Sequence, residues 1–472
     1  MPHKDQETYD AVIIGAGISG LVCGCYLAKA GMKVLIAEQH DKPGGYCTSF
    51  RRGEFIFDAA AHSFGGYREG GIVRKVFRDL GLENKLQIKR FDPSDIFTTP
   101  DHKISFWNDT TKTISEFQAA FPDEKDTIGK FFFLLNAEPK SLIHLRRLTF
   151  KDLLDKYFKN DTLKAILAFP LWGNTGLPPS LISAFIAIRV YNEFHIDGGY
   201  YPDDSMQSLS DALSNKFKEF GGELLFLSLV KEIITKDNIV NGIILENGAF
   251  IQSKYVISNC DATQTFIKLF GKRIITNHLL KKLRGMIYSL SMFVVYLGID
   301  KFLTNLPYPG SNLWILPHYS IEDMYLSAKK RRLNNVKEFM MRISPNRRAI
   351  SAYFHAPFKN KNYWENNKDR FLNLAINKME EHMMPGLSEH IVHKEAATPY
   401  TLYRYTLNYK GASYGWAGTT TQFADIDFKK PSFVKNFYMT GHWTTQGLGI
   451  PGVVYSGMST AKSLFRNNVW VF

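Results

Sequence analysis

Residues 9–39 read YDAVIIGAGISGLVCGCYLAKAGMKVLIAEQ, and this stretch decides the fold. The apolar run 11–14 is typical of a strand buried on both faces. It ends in a G-x-G-x-x-G turn formed by Gly15, Gly17 and Gly20. The first glycine permits a tight bend, the second lets backbone approach a pyrophosphate, and the third lets the next helix pack closely on the sheet. The pattern predicts a dinucleotide site.

The residues after the turn support that prediction. A helix is expected over 21–29, where its N-terminal amides would offer an anion site, and a second buried strand over 34–37. Glu38 follows that strand, eighteen residues after Gly20, where a carboxylate accepts hydrogen bonds from ribose hydroxyls and disfavours a 2′-phosphate. A glycine-rich structural turn is the alternative. The combination of strand, helix, second strand and acid favours the dinucleotide site.

The composition describes a globular protein with a positive surface. The 472 residues are 45% hydrophobic and 22% charged, enough for two or three domains, and the net charge is +13. A positive surface favours nucleic acid or an anionic membrane as a partner. Without zinc-finger spacing, an RNP-like sequence or a dense basic helix, no nucleic-acid partner is expected. No run of eighteen apolar residues occurs, so membrane contact would be peripheral.

Cysteine usage indicates a reducing compartment. The four cysteines are Cys23, Cys25, Cys47 and Cys260, without a C-x-x-C pair, so neither a metal site nor a disulfide scaffold is expected. The polar N-terminal residues run directly into the first strand and leave no room for a secretory signal. These features predict a cytoplasmic protein, with peripheral attachment to a membrane as an open possibility.

A second motif makes the comparison with known families specific. Pro43, Gly44 and Gly45 come soon after Glu38, and Asp58 and His62 follow. Together with the glycine turn, these residues resemble the FAD-binding half of the phytoene desaturase family, which includes carotenoid isomerases and retinol saturase. The resemblance covers almost the whole chain. It implies an α/β fold with a Rossmann-type FAD-binding domain, similar to flavin amine oxidases, and a discontinuous α+β substrate domain.

The order of predicted elements suggests that the chain crosses between the two domains several times. The substrate domain includes strands predicted over 290–299 and 351–356, whose pairing would roof a cavity. Five segments follow from this interpretation: FAD-binding domain over 1–95, substrate domain over 96–204, FAD-binding domain over 205–270, substrate domain over 271–429 and FAD-binding domain over 430–472.

The turn and the resemblance together define the expected site. The predicted FAD contacts are Gly15, Gly17, Gly20, Glu38, Gly44, Gly45, Val230, Gly441, His442, Gly449, Pro451, Gly452 and Val453. Pro451 suits the first turn of a helix predicted over 453–465, whose positive end would face the flavin. Most relatives have an aspartate where this chain has His442, so that contact departs from the family. His62 and His442 are candidates for residues near the flavin ring, and a purely structural role is the alternative for both.

Two bulky apolar segments in the predicted helical region have two interpretations. Residues 130–135 lead to a basic group at 144–147, and residues 166–172 lead to 182–188. Apolar surface beside basic side chains is typical of an interfacial membrane-binding helix pair. The alternative is a helical core packed around an apolar substrate tunnel. Both interpretations are compatible with an enzyme that takes lipid from a bilayer.

No catalytic triad, paired-carboxylate motif or metal-ligand cluster stands out, as is usual where the cofactor carries the chemistry. The resemblance predicts an FAD-dependent oxidoreductase that desaturates, saturates or isomerises C–C bonds of a long hydrophobic polyene or isoprenoid, such as a carotenoid or retinoid. An amine oxidase is one alternative. A prenyl-lipid carrier that shares the fold without flavin is another, and the intact glycine turn with Glu38 disfavours it.

Overall fold

The computed structural model describes residues 8–271, 275–300, 308–330, 338–422, 428–444 and 449–466. In chain order the strands of these residues are β1 (Tyr9–Ile14), β2 (Val34–Ala37), β3 (Ser49–Arg52), β4 (Phe55–Asp58), β5 (Ile88–Arg90), β6 (Asp95–Thr98), β7 (Lys103–Phe106), β8 (Tyr200–Pro202), β9 (Glu223–Leu225), β10 (Val230–Lys236), β11 (Ile239–Leu245), β12 (Phe250–Ser258), β13 (Ser291–Ile299), β14 (Asn312–Ile315), β15 (Phe339–Ile343), β16 (Ala349–Ala356), β17 (Ile391–Ala397) and β18 (Phe437–Met439). The α-helices are α1 (Ile18–Lys29), α2 (Ile72–Asp79), α3 (Thr110–Ala120), α4 (Lys125–Leu135), α5 (Phe150–Tyr157), α6 (Asp161–Thr175), α7 (Ala184–Val190), α8 (Gln207–Glu219), α9 (Asn277–Gly285), α10 (Ile321–Lys330), α11 (Lys361–His382), α12 (Pro399–Thr406) and α13 (Gly449–Arg466).

The first of two large sheets carries the glycine turn. Its strand order is β10-β11-β12-β1-β2-β9, and β18 pairs in parallel with β12. β1 lies between its parallel neighbours β2 and β12, and its residues 11–14 are apolar and buried, as predicted. α1 and α13 pack closely against each other, since a Cβ on Gly457 would lie 2.5 Å from the carbonyl oxygen of Ser19. This contact brings the end of the chain back to its beginning.

The second sheet has the order β17-β13-β16-β15-β14-β6-β7. Its neighbours are antiparallel except for the parallel pair β14 and β6. The pairing predicted for 290–299 and 351–356 is correct, because β13 and β16 are antiparallel neighbours with Val294 opposite Tyr353. α6 packs tightly on this sheet, since a Cβ on Gly173 would lie 1.9 Å from the Trp314 ring. The sheet thus roofs a space beside α6. Among the described residues no helix is long and apolar enough to span a membrane.

Several predicted boundaries differ from the structure. The sequence pattern predicts a helix over 371–384, whereas α11 begins ten residues earlier, at Lys361. The Asn360 side chain caps it by accepting from the Tyr363 amide, and its first ten residues are mostly polar, so apolar periodicity could not reveal them. The sequence pattern also predicts a strand over 224–227, whereas β9 ends at Leu225, because Leu227 has φ 52 and leaves the extended conformation.

The second of the two bulky segments belongs to the core. Every residue from Ile166 to Trp172 is buried, and Ile182 and Ile188 are buried too. The interfacial interpretation is therefore wrong for this segment, and the alternative of a packed helical core is correct there. The first segment differs, since α4 leaves Phe133 82% exposed.

Candidate functional site

A single cavity of about 580 Å³ runs between the two large sheets. Such a volume is typical of a small-molecule or cofactor site. Eleven of the residues predicted from the sequence line it: Gly15, Gly17, Glu38, Gly44, Gly45, His62, Val230, Gly441, His442, Gly449 and Val453. They come from five separate parts of the chain, and the fold brings them together at one end of the cavity.

The glycine turn, together with Gly44 and Gly45, forms the cavity wall at one end. Gly15 has φ +96, a conformation that favours glycine, and its amide donates to the Ala37 carbonyl at 2.8 Å. Gly44 has φ +131, and its amide donates to the Ala16 carbonyl at 2.9 Å, which joins the second glycine motif to the first. A Cβ on Gly45 would lie 3.6 Å from the Gly17 Cα. Two stretches of bare backbone therefore face the cavity side by side.

The first turn of α1 is prepared for an anion. Its N-cap, Gly17, makes no side-chain cap, and the first turn holds no acidic residue. The first amides of a helix lack intrahelical acceptors, and the helix dipole places partial positive charge there. A pyrophosphate suits this combination of uncapped amides and glycine backbone. The residues present thus fit a dinucleotide cofactor.

Glu38 lies buried at the end of β2. Its Oε2 accepts from the Ala16 amide at 2.7 Å, and its Oε1 accepts from the His40 amide at 3.0 Å. Because each carboxylate oxygen has two lone pairs, both oxygens can accept a further bond, such as one from a ribose hydroxyl. The same carboxylate ties the glycine turn to the chain beyond β2.

Asn259 is a site residue that the sequence prediction did not include. Its Nδ2 donates to the Gly15 carbonyl at 3.2 Å, and a Cβ on Gly17 would lie 3.0 Å from the same nitrogen. A Cβ on Gly441 would lie 2.7 Å from its Oδ1. Asn259 therefore packs between two glycine segments that are far apart in the chain. Its place after β12 was the available signal, because ligand-binding groups gather at the carboxyl ends of parallel strands.

Three of the predicted cofactor contacts are placed differently from the other ten. Gly20, Pro451 and Gly452 do not line the cavity. A Cβ on Gly20 would lie 2.3 Å from the Gly15 carbonyl oxygen, so this glycine allows close packing of helix on turn. Pro451 packs on Gly66, where a Cβ would lie 3.2 Å from its ring. Pro451 and Gly452 belong to the first turn of α13, which presents Gly449 and Val453 to the cavity.

His62 and His442, the two candidate histidines, both line the cavity, and both are held neutral. Burial, with a smaller contribution from the Arg342 guanidinium, lowers the pKa of His62 to about 4, and burial lowers the pKa of His442 to about 4. The His62 ring lies 4.6 Å from the Tyr353 ring, and its Nδ1 lies 3.1 Å from the Ala60 carbonyl. Nε2 of His442 has no hydrogen-bond partner among the described residues. Either imidazole is available to bond a neutral ligand group.

The other end of the cavity is an apolar chamber. One row of side chains crosses the second sheet in register, from Val294 through Tyr353 and Met340 to Trp314, and all four line the cavity. Trp172 of α6 lies across from this row. Aromatic and aliphatic side chains of this kind provide contact area for a hydrophobic ligand. We call this end the substrate chamber.

Asp95 organises the wall behind the chamber. Its Oδ1 accepts from Trp314 Nε1 at 2.8 Å and from Asn312 Nδ2 at 3.0 Å. Its Oδ2 lies 3.5 Å from His195 Nδ1, and His195 Nε2 lies 3.0 Å from the Asn174 amide at the chamber surface. Burial opposes ionisation, but His195 and these donors outweigh it and hold the pKa of Asp95 below its usual range. A buried carboxylate thus fixes two residues that face the chamber.

The comparisons with known proteins agree with this architecture. Residues 13–80 match the NAD(P)-binding Rossmann-like domain family. Prolycopene isomerase 2 of an Oncidium hybrid cultivar is 27% identical, over 97% of this chain and 84% of the relative. All-trans-retinol 13,14-reductase of Danio rerio is 23% identical, over 99% and 88%. A lycopene-forming phytoene desaturase of Pseudescherichia vulneris is 24% identical, over 97% and 99%.

Solved structures support the fold. An oxidoreductase from Methanosarcina mazei aligns with TM-score 0.67 and 15% identity, over 97% of this chain and 100% of that one. Putrescine oxidase bound to putrescine aligns with TM-score 0.65 and 14% identity, over 98% and 99%.

The chain shares the architecture of flavin amine oxidases, and its cavity suits a flavin or dinucleotide cofactor. The relatives confirm the resemblance to the phytoene desaturase, carotenoid isomerase and retinol saturase family. The chain has the α/β Rossmann-type fold that the motifs predicted.

Proposed function

We propose that the protein is an FAD-dependent oxidoreductase that acts on C–C bonds of a long hydrophobic polyene or isoprenoid. One observation carries the proposal: a single cavity joins a backbone cradle suited to a dinucleotide with an apolar chamber. A flavin is reduced and reoxidised while it stays bound, so a cradle that is continuous with the apolar chamber suits FAD. The relatives named for prolycopene, phytoene and retinol support polyenes as the substrate class.

Each part of the cradle has a role in holding FAD. The amides of α1, with Gly17 and Gly45, would bind the pyrophosphate, and Glu38 would accept from the ribose. Backbone at Val230 would hold the adenine, and the N-terminus of α13 would face the flavin ring. FAD, when bound, supplies hydride-transfer chemistry.

The protein's own contribution is to orient the substrate and exclude water. The row of apolar side chains on the second sheet would align an extended polyene along the cavity. His62 and His442 are proposed to lie near the flavin ring, where their neutral imidazoles would bond it without adding charge. The lowered pKa of each histidine makes it a poor proton donor at neutral pH, so we propose positioning for both.

The first test is the visible spectrum of the purified protein. A bound flavin would give a yellow protein with absorbance near 450 nm, and a colourless protein that takes up no FAD would overturn the proposal. Anaerobic incubation with phytoene-like and retinol-like lipids, with the protein oxidised and then reduced, would distinguish desaturation, saturation and isomerisation. Turnover of amines without any polyene reaction would favour an amine oxidase instead. Tight prenyl-lipid binding without flavin would identify a carrier.

A peripheral contact with an anionic membrane is a second part of the proposal. Phe133 of α4 is 82% exposed and Ile143 is 44% exposed, and Lys130 and Arg147 are exposed in the same two segments. Apolar side chains among cations suit insertion into an anionic bilayer surface. We expect co-sedimentation with phosphatidylserine vesicles that weakens with salt, and less of it in Phe133→Ser. Val392→Ser, at a 61% exposed site on β17, is the matched control. Unchanged sedimentation of Phe133→Ser would contradict this surface.

A further inference from the structure

The substrate chamber contains polar atoms that no part of the described protein satisfies. His355 Nε2, Tyr353 Oη and Ser413 Oγ are buried without hydrogen-bond partners, and all three residues line the cavity. Buried polar groups in proteins nearly always have partners, because an unpaired one keeps its full desolvation penalty. A pure hydrocarbon in this chamber would leave all three unpaired. Their presence therefore points to a polar group on the ligand.

Two of these residues lie at the same end of the chamber. Leu290, at the start of β13, accepts through its carbonyl from the Ser413 amide at 3.1 Å. A Cβ on Gly176 would lie 3.4 Å from Leu290 Cβ and 3.1 Å from His355 Nε2. His355 and Ser413 are therefore both next to Leu290. Tyr353, two residues before His355 on the same face of β16, lies nearer the predicted flavin side, against His62.

The surroundings of His355 keep its imidazole neutral. Burial lowers the pKa of His355 to about 3, and its ring lies 4.4 Å from the Trp172 ring. A neutral imidazole has one donor and one acceptor. Gly176 ends α6 with φ +66, a conformation that favours glycine, and the absence of a side chain there lets the end of α6 pack close to the imidazole.

We propose that the substrate is an isoprenoid alcohol, whose hydroxyl group is bound by His355 with Ser413 beside it. This inference rests on the proposed function and specifies its substrate class. A hydroxyl group both donates and accepts, as a neutral imidazole does, so the two satisfy each other.

An isoprenoid acid suits the chamber less well. A buried carboxylate needs a cation beside it. The two lysines that line the cavity are Lys231 and Lys268, next to Val230 and Leu269 in the chain. We assign them to the cofactor end, which is the end with the glycine turn, because Val230 is a predicted FAD contact. The wall thus favours an alcohol over an acid as well as over a hydrocarbon.

The test is a titration of the flavin-loaded protein with three ligands of one carbon skeleton: geranylgeraniol, geranylgeranoic acid and the hydrocarbon with hydrogen in place of the hydroxyl group. Quenching of tryptophan fluorescence reports binding, since Trp172 and Trp314 line the chamber. We expect the alcohol to bind about tenfold more tightly than either other ligand, because one extra buried hydrogen bond stabilises the complex by about that factor. His355→Phe should reduce the affinity for the alcohol to that for the hydrocarbon, whose own affinity stays unchanged.

Two further variants separate recognition from general damage. His355→Asn keeps a donor and an acceptor and should retain part of the preference for the alcohol. Met292→Leu changes the residue opposite His355 on β13 and should affect all three ligands equally. Equal binding of alcohol and hydrocarbon by the unaltered protein would overturn the inference, and so would an unchanged preference in His355→Phe. A flavin-loaded protein that binds none of the three would overturn the proposed substrate class as well, whereas equal binding would leave that class standing.

Discussion

The two ends of the cavity are built in different ways. At the cofactor end the wall is mostly backbone: Gly15, Gly17, Gly44 and Gly45 face the space, and Glu38 holds them in place. At the substrate end the wall is made of large side chains on four strands and α6. In a backbone wall, any added side-chain atom disturbs the site, but the wall offers no side chains that distinguish one substrate from another. A side-chain wall can be altered residue by residue while the fold survives, so reaction specificity belongs to the chamber.

The largest effect is expected at the cofactor end. Gly20→Ala would place a Cβ 2.3 Å from the Gly15 carbonyl oxygen, so α1 must move away from the turn that it extends. We expect cofactor affinity to fall by about 100-fold or more, measured as flavin retained after purification. Gly129→Ala in α4, where the nearest atom to the new Cβ is 3.9 Å away, should retain the cofactor fully. A fully loaded Gly20→Ala protein would show that this contact is not critical.

A smaller effect, confined to the chamber, is expected from Asp95→Asn. The amide replaces an acceptor with a donor that faces His195, and the hydrogen-bond network behind Trp314 is broken. Denaturant unfolding should show a loss of about 1–3 kcal/mol, typical of leaving a buried hydrogen-bonding group without its partner. Polyene binding should weaken while flavin content stays unchanged. Asp101→Asn, at an exposed site, serves as the control. Weaker flavin binding with intact polyene binding would contradict the division between the two ends.

Glu38→Gln tests the polar side chain that the cofactor end depends on. One carboxylate oxygen becomes an NH₂ group, which then faces a backbone N–H of either Ala16 or His40. Hydrogen bonds to charged groups contribute about 1.5–3 kcal/mol, so we expect FAD affinity to fall by roughly 10- to 100-fold. Equilibrium titration with FAD measures it. Unchanged affinity would mean that Glu38 only supports the turn.

The last prediction is a pH dependence shared by both ends. Burial lowers the pKa values of His62 and His442 to about 4 and that of His355 to about 3, from the ordinary 6.5. Between pH 6.5 and these lowered values, the unfolded chain binds protons at the three histidines that the folded chain excludes. The free energy of unfolding is therefore unaffected by these histidines above pH 6.5 and falls as the pH is lowered toward 4. Thermal melts should show Tm decreasing across this range, and less steeply in His355→Phe. The exposed His144→Gln variant should keep the original slope.

Much of the cofactor end could be predicted because its determinants are local. The strand, the glycine turn and Glu38 lie within 30 consecutive residues, and each glycine has a backbone reason. Asn259 escaped prediction because its contacts with Gly17 and Gly441 join distant segments. Pro451 suited a cofactor contact by its position in the chain, yet it packs on Gly66, since the rotation of α13 directs it away from the cavity.

The substrate chamber could be predicted only as an apolar, strand-roofed space. Alternating apolar residues indicated β13 and β16, but the register that sets Val294 opposite Tyr353 depends on the whole sheet. The polar residue His355 and the Asp95 network gave no sequence signal, because an isolated histidine or aspartate is common in any chain.

By itself the sequence predicted the dinucleotide-binding unit and the fold class, because periodicity and glycine spacing act through neighbouring residues. The tertiary structure alone decided which buried polar atoms lack partners and where they meet. Those facts depend on packing between elements hundreds of residues apart, such as α13 against α1. The glycine turn predicts where a cofactor binds, and the unpaired Nε2 of His355 bears on the substrate that we propose.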